Sequence, residues 1–474
     1  MNMTSRRDTM MPRLELVRAT QPPDADVPTR SFDTLIVGGG PAGLAPLVSA
    51  CRTGSLDRFL ADGLAVVEQG QAIGAGLIGT YAINSDSSAD TIVDCVRGNA
   101  HPRLAALRDH PATAAVASYG RGSVPLPLVG AFMAVVGNAL HDLLNASAGS
   151  EVLLGSKAVH TQMTPGGEWC TTIVRASDGA RSRIISRLVI LATGGVQPLA
   201  RLEVEHAAGM PLLPLHARKL MQSGDVLATG GLEAVGRRLE MFPDPQVAII
   251  GSSSSALASA CALLRSGLGG RFATGAVTVL HRRPLRVFYA SAADALADGY
   301  DEFGPDDICP VSGFVFRFAG FRLESRELVM AARGIGGRAP EPRLRLHRLG
   351  VESDAVAQSI IDSADLVIAA LGYRPRALPV LAASGQPIRL QAHGPGSRPL
   401  VDGQCRVLDM AGDPVPGLLG IGLAAGFVSR EAVGGERSFS GQTNGLWQWQ
   451  NDVGAIVAER VGAIADPIAR IAIS

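Results

Sequence analysis

The residues with the clearest chemical meaning lie in two turns of nearly matching spacing. Gly38-Gly39-Gly40-Pro41-Ala42-Gly43 follows an apolar run at 32–37, and Gly251-Ser252-Ser253-Ser254-Ser255-Ala256 follows another at 247–250. In the first turn, Gly38 permits a tight bend, Gly40 lets backbone approach a pyrophosphate, and Gly43 allows close packing of helix on strand. A helix opening after such a turn offers free N–H groups and a positive dipole end to phosphates. In the second turn, the Ser253 hydroxyl can still donate to a phosphate, and Ala256 stays small enough for packing. Glu68, with Gln69 beside it, ends the next apolar run 30 positions after Gly38, and His281-Arg282-Arg283 begins 30 positions after Gly251. An acid at that strand end accepts hydrogen bonds from ribose hydroxyls, whereas arginine attracts a 2′-phosphate through charge-assisted contacts. Two nucleotide sites are therefore expected, the second preferring the phosphate-bearing dinucleotide.

These turns need strands and helices to hold them. Each unit reads as strand, turn, helix and second strand, at 64–67 and 277–280. Each also has a later strand, 188–191 running into Ala192-Thr193-Gly194-Gly195 and 366–369 running into Ala370-Leu371-Gly372-Tyr373. The stretches 151–155, 158–163 and 169–176 predict a β-meander before the first of these, and 444–462 predicts a last helix. The expected fold class is α/β, with two Rossmann-like βαβ dinucleotide-binding domains, the second inserted in the first. The first domain is expected at 31–200 and 363–474, and the second at 201–362. Residues 1–30, polar and proline-bearing, predict a disordered tail. The stretch 290–345, rich in Gly, Pro and mixed charge, receives no assignment.

Composition narrows the function. Of 474 residues 47% are hydrophobic, more than one core needs. Lys+Arg and Asp+Glu balance at 43 each, so no electrostatic footprint points to nucleic acid or an anionic membrane. The six cysteines form no CxxC pair, which speaks against a zinc ribbon or a disulfide relay and suits a reducing compartment. The nine histidines show no metal spacing, and no metal is expected. Arg6-Arg7 precedes no apolar region, and no segment is expected to reach the roughly 20 apolar residues of a membrane span. A cytoplasmic protein is expected.

The order of motifs resembles the flavoproteins with two dinucleotide-binding domains. The second turn and the Ala370–Tyr373 turn resemble those of the single-component, N-hydroxylating flavin monooxygenases, with Ser253 for Gly and Leu371 for Thr. The resemblance implies FAD in the first domain and NADPH in the second. It places Val159 backbone at the adenine, Ala192, Thr193 and Gly194 over the FAD, and Gly422 by the ribityl chain, where Leu423 stands in place of the family's usual Asp. Gln442 and Asn444, before the last helix, become flavin contacts, and Gly372 and Tyr373 join the NADPH site. The chemistry implied is hydride transfer from NADPH, then reaction with O₂ to a flavin C4a-hydroperoxide that hydroxylates a small amine or amino-acid-like substrate. Asn84, Ser85 and Asp86, following the glycine-rich 74–79, are the candidate residues near flavin and substrate. A helix-capping turn is the competing reading of that segment. The expected partners are this substrate and O₂, with self-assembly open. Two alternatives are a flavin reductase or dehydrogenase without oxygen insertion and a redox-responsive flavin-binding protein.

Overall fold

The computed structural model describes residues 27–376, 378–393, 398–423, 425–429 and 433–465. Most of the expected N-terminal tail, residues 1–26, lies outside these. Strand β1 (Thr29–Val37) begins inside the range assigned to the tail.

The chain builds a mixed α/β fold around two sheets. From β1 it turns into α1 (Pro41–Thr53) and β2 (Leu64–Val67). It then runs through β3 (Asn84–Ser88), α2 (Ala89–Arg97), β4 (Ser123–Pro125) and α3 (Leu126–Ala146). Four strands follow: β5 (Glu151–Leu153), β6 (Ser156–Met163), β7 (Trp169–Arg175) and β8 (Arg181–Leu191). Next come β9 (Leu220–Gln222), β10 (Val247–Ile250), α4 (Ser254–Arg265), β11 (Val277–His281), α5 (Leu323–Arg333), β12 (Leu344–Arg348) and β13 (Leu366–Ala369). The last elements are β14 (Val380–Leu381), β15 (Arg406–Leu408), β16 (Pro414–Gly420), α6 (Leu446–Gln448), a π-turn (Trp449–Val453) and α7 (Gly454–Ala465).

The nine-stranded first sheet runs β14-β6-β7-β8-β1-β2-β5, with β16 on β8 and β15 on β16. Strand β8 serves two neighbours: residues 181–186 pair antiparallel with β7, and 189–191 pair parallel with β16. The second sheet, β9-β13-β10-β11-β12, is parallel throughout. A parallel sheet needs apolar cover on both faces. Alternation in β13 supplies it, since Leu366 and Ile368 join one core cluster and Val367 and Ala369 join another. Strands β16-β8-β1-β2-β5 repeat the neighbour pattern of β9-β13-β10-β11-β12, so two halves of the chain solve one packing problem in the same way.

Two expectations need correction. The boundary at 363 falls before β13, which pairs with β9 and β10 at the centre of the second sheet, so that sheet extends to residue 369. The stretch 151–155 is not part of the meander: β5 is a parallel edge strand on β2, and Gly155, at φ 57°, turns the chain into β6.

Helix α3 is also unexpected. It is 21 residues long and apolar enough, by length and composition, to cross a membrane. Its Val129, Phe132, Met133, Val136, Leu140 and Leu144 are buried in the core of the first sheet. That side of α3 faces the segment 73–79 so closely that a Cβ on Gly130 would stand 2.5 Å from Gly79 Cα.

The first turn depends on one backbone approach. Gly38 has φ 105°, and a Cβ there would collide with the Ala192 carbonyl oxygen at the end of β8. Gly38→Ala should therefore destabilise the fold by about 1–3 kcal/mol, read as a lower midpoint in chemical denaturation. An unchanged midpoint would show that the turn has room the geometry denies.

Candidate functional site

The first turn caps α1 with Gly40, whose backbone is extended and uses no side chain, so the first-turn N–H groups face outward. A Cβ on Gly40 would meet nothing nearer than Gly76 Cα at 3.5 Å, which leaves room for a phosphate along the turn. Glu68 is fixed at the end of β2: its carboxylate accepts from Gly39 N–H and from Gly70 N–H, both at 2.7 Å. Gln69 lies between them. Each carboxylate oxygen keeps lone pairs for hydroxyl donors. The β6–β7 ladder slips at Val159, between the pairs Ala158–Ile173 and His160–Thr172, so the Val159 backbone stands out of register. The Ser156 N–H, three residues earlier, bonds Glu68 O at 2.9 Å, which ties that strand to the acid. Ala192 meets Gly38, followed by Thr193 and by Gly194 at φ 70°. Gly422 comes against the start of α1, where a Cβ on it would lie 2.8 Å from Ala42 Cβ. A dinucleotide pyrophosphate and ribose fit these residues.

The second turn repeats the device. Gly251 has φ 150°, and a Cβ there would collide with the Ala370 carbonyl oxygen, the counterpart of Ala192. Ser253 caps α4 in extended backbone and donates its hydroxyl to that same oxygen at 3.2 Å. Gly251 and Ser252–Ser255 line a cleft of about 1940 Å³, with Gly372 and Tyr373. Ala256 is buried beneath. Of the three basic positions, Arg282 and Arg283 are exposed and line the cleft. His281 does not: it is buried, its Nδ1 is 2.8 Å from Arg283 O, and burial pulls its pKa down. A phosphate-bearing adenosine fits the arginines without the histidine.

The cleft extends from this turn to Leu423 and to Gln442, Thr443, Asn444 and Gly445. Thr443 pins that segment by bonding Phe427 O through both its N–H and its hydroxyl. Gly445, not Asn444, caps α6, so Asn444 remains exposed to the cleft. Trp447 lines the cleft and donates to Asp94 Oδ2 at 3.0 Å, and Asp94 pairs with Arg52 on α1 at 3.0 Å. The last helix is thereby tied to the first turn's helix.

The candidate residues near the substrate separate. Asp86, Ser87 and Ser88 line the cleft, whereas Asn84 and Ser85 do not. Asn84 donates to Glu324 Oε1 at 2.8 Å, and Ser85 bonds Ser87 O and Val124 N–H. The β3–β4 register shifts between Asn84 and Ser88, so Asp86 does not follow Asn84 to one face as regular alternation would have it. The helix cap, expected at Asp86 or Ser87, falls on Ser88, whose hydroxyl accepts from Thr91 N–H at 3.4 Å. Asp86 keeps surface reachable from the cleft yet is surrounded by protein, and burial pushes its carboxyl above the usual carboxylate range against the opposing Arg322 guanidinium. Arg322 is lowered to about 10 by burial, with Asp86 acting to raise it, so it stays cationic near neutral pH.

Arg322 was not anticipated. It sits in the unassigned stretch 290–345, within Phe314-Val315-Phe316-Arg317-Phe318-Ala319-Gly320-Phe321-Arg322. The alternation of phenylalanine with arginine was the available signal. Nearby, Cys309 is buried. Burial alone would raise its thiol, but N–H donors from Ser312 and Gly435 outweigh that and bring it to about 7.

No family model matches the chain. It is 32% identical over 446 residues to the CMP-5′-(3-aminopropyl)phosphonate hydroxylase of Streptomyces rubellomurinus, covering 90% of this chain and 96% of that one. Among solved structures, it resembles the ornithine hydroxylase of Pseudomonas aeruginosa (TM-score 0.52, 12% identity, 91% of this chain and 99% of that one). It also resembles the L-lysine 6-monooxygenase of Pseudomonas syringae (TM-score 0.50, 16% identity, with the same coverage). At such identities the two structures speak for the fold alone. The 32% identity to the phosphonate hydroxylase along nearly the whole chain carries more: the chain belongs to that hydroxylase's family.

Proposed function

We propose that this enzyme hydroxylates the terminal amine of an aminoalkyl phosphonate, a substrate of the kind named for the Streptomyces relative. The observation that carries the reading is the identity to that relative along nearly the whole chain. The cleft chemistry supports it. Asp86 offers a carboxylate to an ammonium group, and arginines around it offer positive charge to a phosphonate.

The cofactor domains follow the two sheets. FAD belongs with residues 31–200 and the chain after 369, and NADPH with 201–369, inserted between them. Gly38, Gly40, Ala42 and the α1 N-terminus would hold the FAD pyrophosphate, and Glu68 the ribose. Gly251, the Ser253 backbone, whose hydroxyl is spent on Ala370 O, and the α4 N-terminus would hold the NADPH pyrophosphate, and Arg282 and Arg283 its 2′-phosphate. When bound, FAD supplies hydride acceptance and oxygen activation.

The remaining work falls to the chain. Gln442 and Asn444 orient the ring edge. The start of α6 is tied down through Trp447 and Asp94, which holds Gln442 and Asn444 in place at the cleft. Asp86 accepts a hydrogen bond from the substrate ammonium. Its raised pKa lets it take that proton, which leaves the amine lone pair free to attack.

Three outcomes are expected. NADPH oxidation by the FAD-loaded enzyme should consume O₂ without matching peroxide release when 3-aminopropylphosphonate or its CMP conjugate is added, and not with ornithine or lysine. Oxygen-independent turnover would replace this reading with a reductase. Asp86→Asn should raise the amine KM by about tenfold or more. In the parent enzyme the amine KM should climb on acidification, since protonation below the raised pKa removes the acceptor, and in the variant that limb should flatten. Arg282→Ala should raise the NADPH KM about tenfold while leaving the NADH KM nearly unchanged, as read by initial rates with each cofactor. Equal effects would place the 2′-phosphate elsewhere.

A further inference from the structure

One wall of the cleft has chemistry that neither cofactor site uses. It is made from residues 286–290, 314–322 and 438–439. Five of the chain's 13 phenylalanines line the cleft here: Phe288, Phe314, Phe318, Phe321 and Phe439. Phe321 is buried in the second core, whereas Phe288, Phe314, Phe318 and Phe439 are half-buried and keep ring surface at the cleft, which suits a flat apolar ligand. Phe288 and Phe314 meet edge to face at 5.3 Å, and Phe318 and Phe439 are tilted at 5.9 Å.

Two guanidinium groups are set among these rings. Arg322 lies 3.6 Å over the Phe288 ring, and Arg317 lies 4.9 Å over Phe318. Arg322 donates to Arg317 O at 2.8 Å; among the described residues it has no carboxylate within ion-pair distance, and Asp86 and Glu436 act on it at longer range. Arg317 donates to Val433 O at 2.9 Å and lies 3.8 Å from the Asp452 carboxylate, which fixes its guanidinium at the wall. Each guanidinium has five N–H donors and these bonds use only some of them, so two planar cations with donors to spare beside aromatic faces match a phosphoryl group attached to a nucleobase.

The wall is rigid enough to select. Glu436, buried, accepts from Phe318 N–H at 3.0 Å and from Ala319 N–H at 2.7 Å. Phe321 N–H bonds Arg286 O at 2.8 Å, and Phe288 N–H bonds Phe321 O at 3.1 Å. Gly320 lies so close to this second segment that a Cβ would stand 2.5 Å from Phe288 N. Phe316 and Leu323 bracket the segment with φ 47° and 45°, strained values for such side chains. A strained segment held by a buried carboxylate at a cleft wall is a fixed template.

The NADPH phosphates have their own partners at the second turn and at Arg282 and Arg283. A further anion and a further flat group are therefore what this wall can take. We infer that Arg317 and Arg322, with Phe288, Phe314, Phe318 and Phe439, form a subsite for a nucleoside 5′-phosphoryl group carried by the amine substrate. The inference rests on the amine-hydroxylating reading above and explains how a substrate with a nucleotide at one end presents its amine at the other. Arg322 and Asp86 both line the cleft and act on each other electrostatically, so the anion and the ammonium of one molecule each find an opposite charge there.

The test uses the full-length, FAD-loaded enzyme saturated with NADP⁺, titrated calorimetrically with cytidine 5′-monophosphate. Binding is expected with NADP⁺ present, together with competition against the amine substrate. Arg322→Ala and Phe439→Ala should each weaken that binding about tenfold or more. Both should also lower kcat/KM for a CMP-conjugated aminophosphonate more than for the free aminophosphonate. Should Arg322→Ala fail to fold, Arg322→Lys retains the charge and should still weaken binding, because the planar fork is lost. Absence of nucleotide binding beside NADP⁺, or equal affinity in the variants, would overturn the subsite. If the conjugate is hydroxylated but the nucleotide alone does not bind, the subsite falls and the hydroxylation reading stands. If the nucleotide binds as expected but no aminophosphonate is hydroxylated, the reverse holds.

Discussion

Each nucleotide cradle depends on a single backbone approach, the first residue of the turn against the carbonyl that ends the closing strand. Gly38 meets Ala192 in this way, and Gly251 meets Ala370. Only glycine can occupy those positions, and the approach fixes the direction in which the following helix starts. Helix α1 then presents its N-terminus where a pyrophosphate can lie, with Glu68 locked beside it by two backbone N–H groups. Helix α4 does the same on the cleft side, where Arg282 and Arg283 stand in place of the acid. The two sheets share a neighbour pattern because both are arranged to make this approach possible.

From that constraint the cleft follows. The second cradle forms one end of it, and Leu423 with the segment 438–448 forms the other. Gly422 packs against the start of α1, and Trp447 reaches α1 through Asp94 and Arg52, so the second boundary is tied to the first cradle. Between them stand Asp86 on β3 and the phenylalanine–arginine wall. A carboxylate held above its usual range and a guanidinium with no carboxylate within ion-pair distance among the described residues form an arrangement suited to a substrate that carries both signs of charge.

How much of this is legible in the sequence depends on the kind of signal. Turns constrained by glycine, and strands of four apolar residues buried on both faces, leave a local pattern that the short β9 and the half-charged β12 lack, so both turns and the strands that flank and close them can be located from spacing. The same holds for the exchange of Glu68 for a basic pair. Roles that depend on orientation are less legible. His281 belongs to the basic run yet turns inward to Arg283 O, because strand alternation sends it to the core. Asn84, Ser85 and Asp86 form one polar cluster in the chain, but β3 sends only Asp86 to the cleft. Strand β5 looks like part of a meander, since only its pairing with β2 shows that it is an edge strand. The phenylalanine–arginine wall has no periodic element to announce it. Its shape comes from Glu436, more than a hundred residues away, and from two strained residues.

The central claim is that two cradles bring FAD and NADPH to one cleft, so that electrons pass between them. Its most direct test is anaerobic mixing of the FAD-loaded protein with NADPH, following the flavin absorbance in a stopped-flow spectrometer. The account predicts rapid bleaching of the oxidised flavin, saturable in NADPH and slower with NADH. A flavin that stays oxidised, or a protein that retains no FAD, would contradict it.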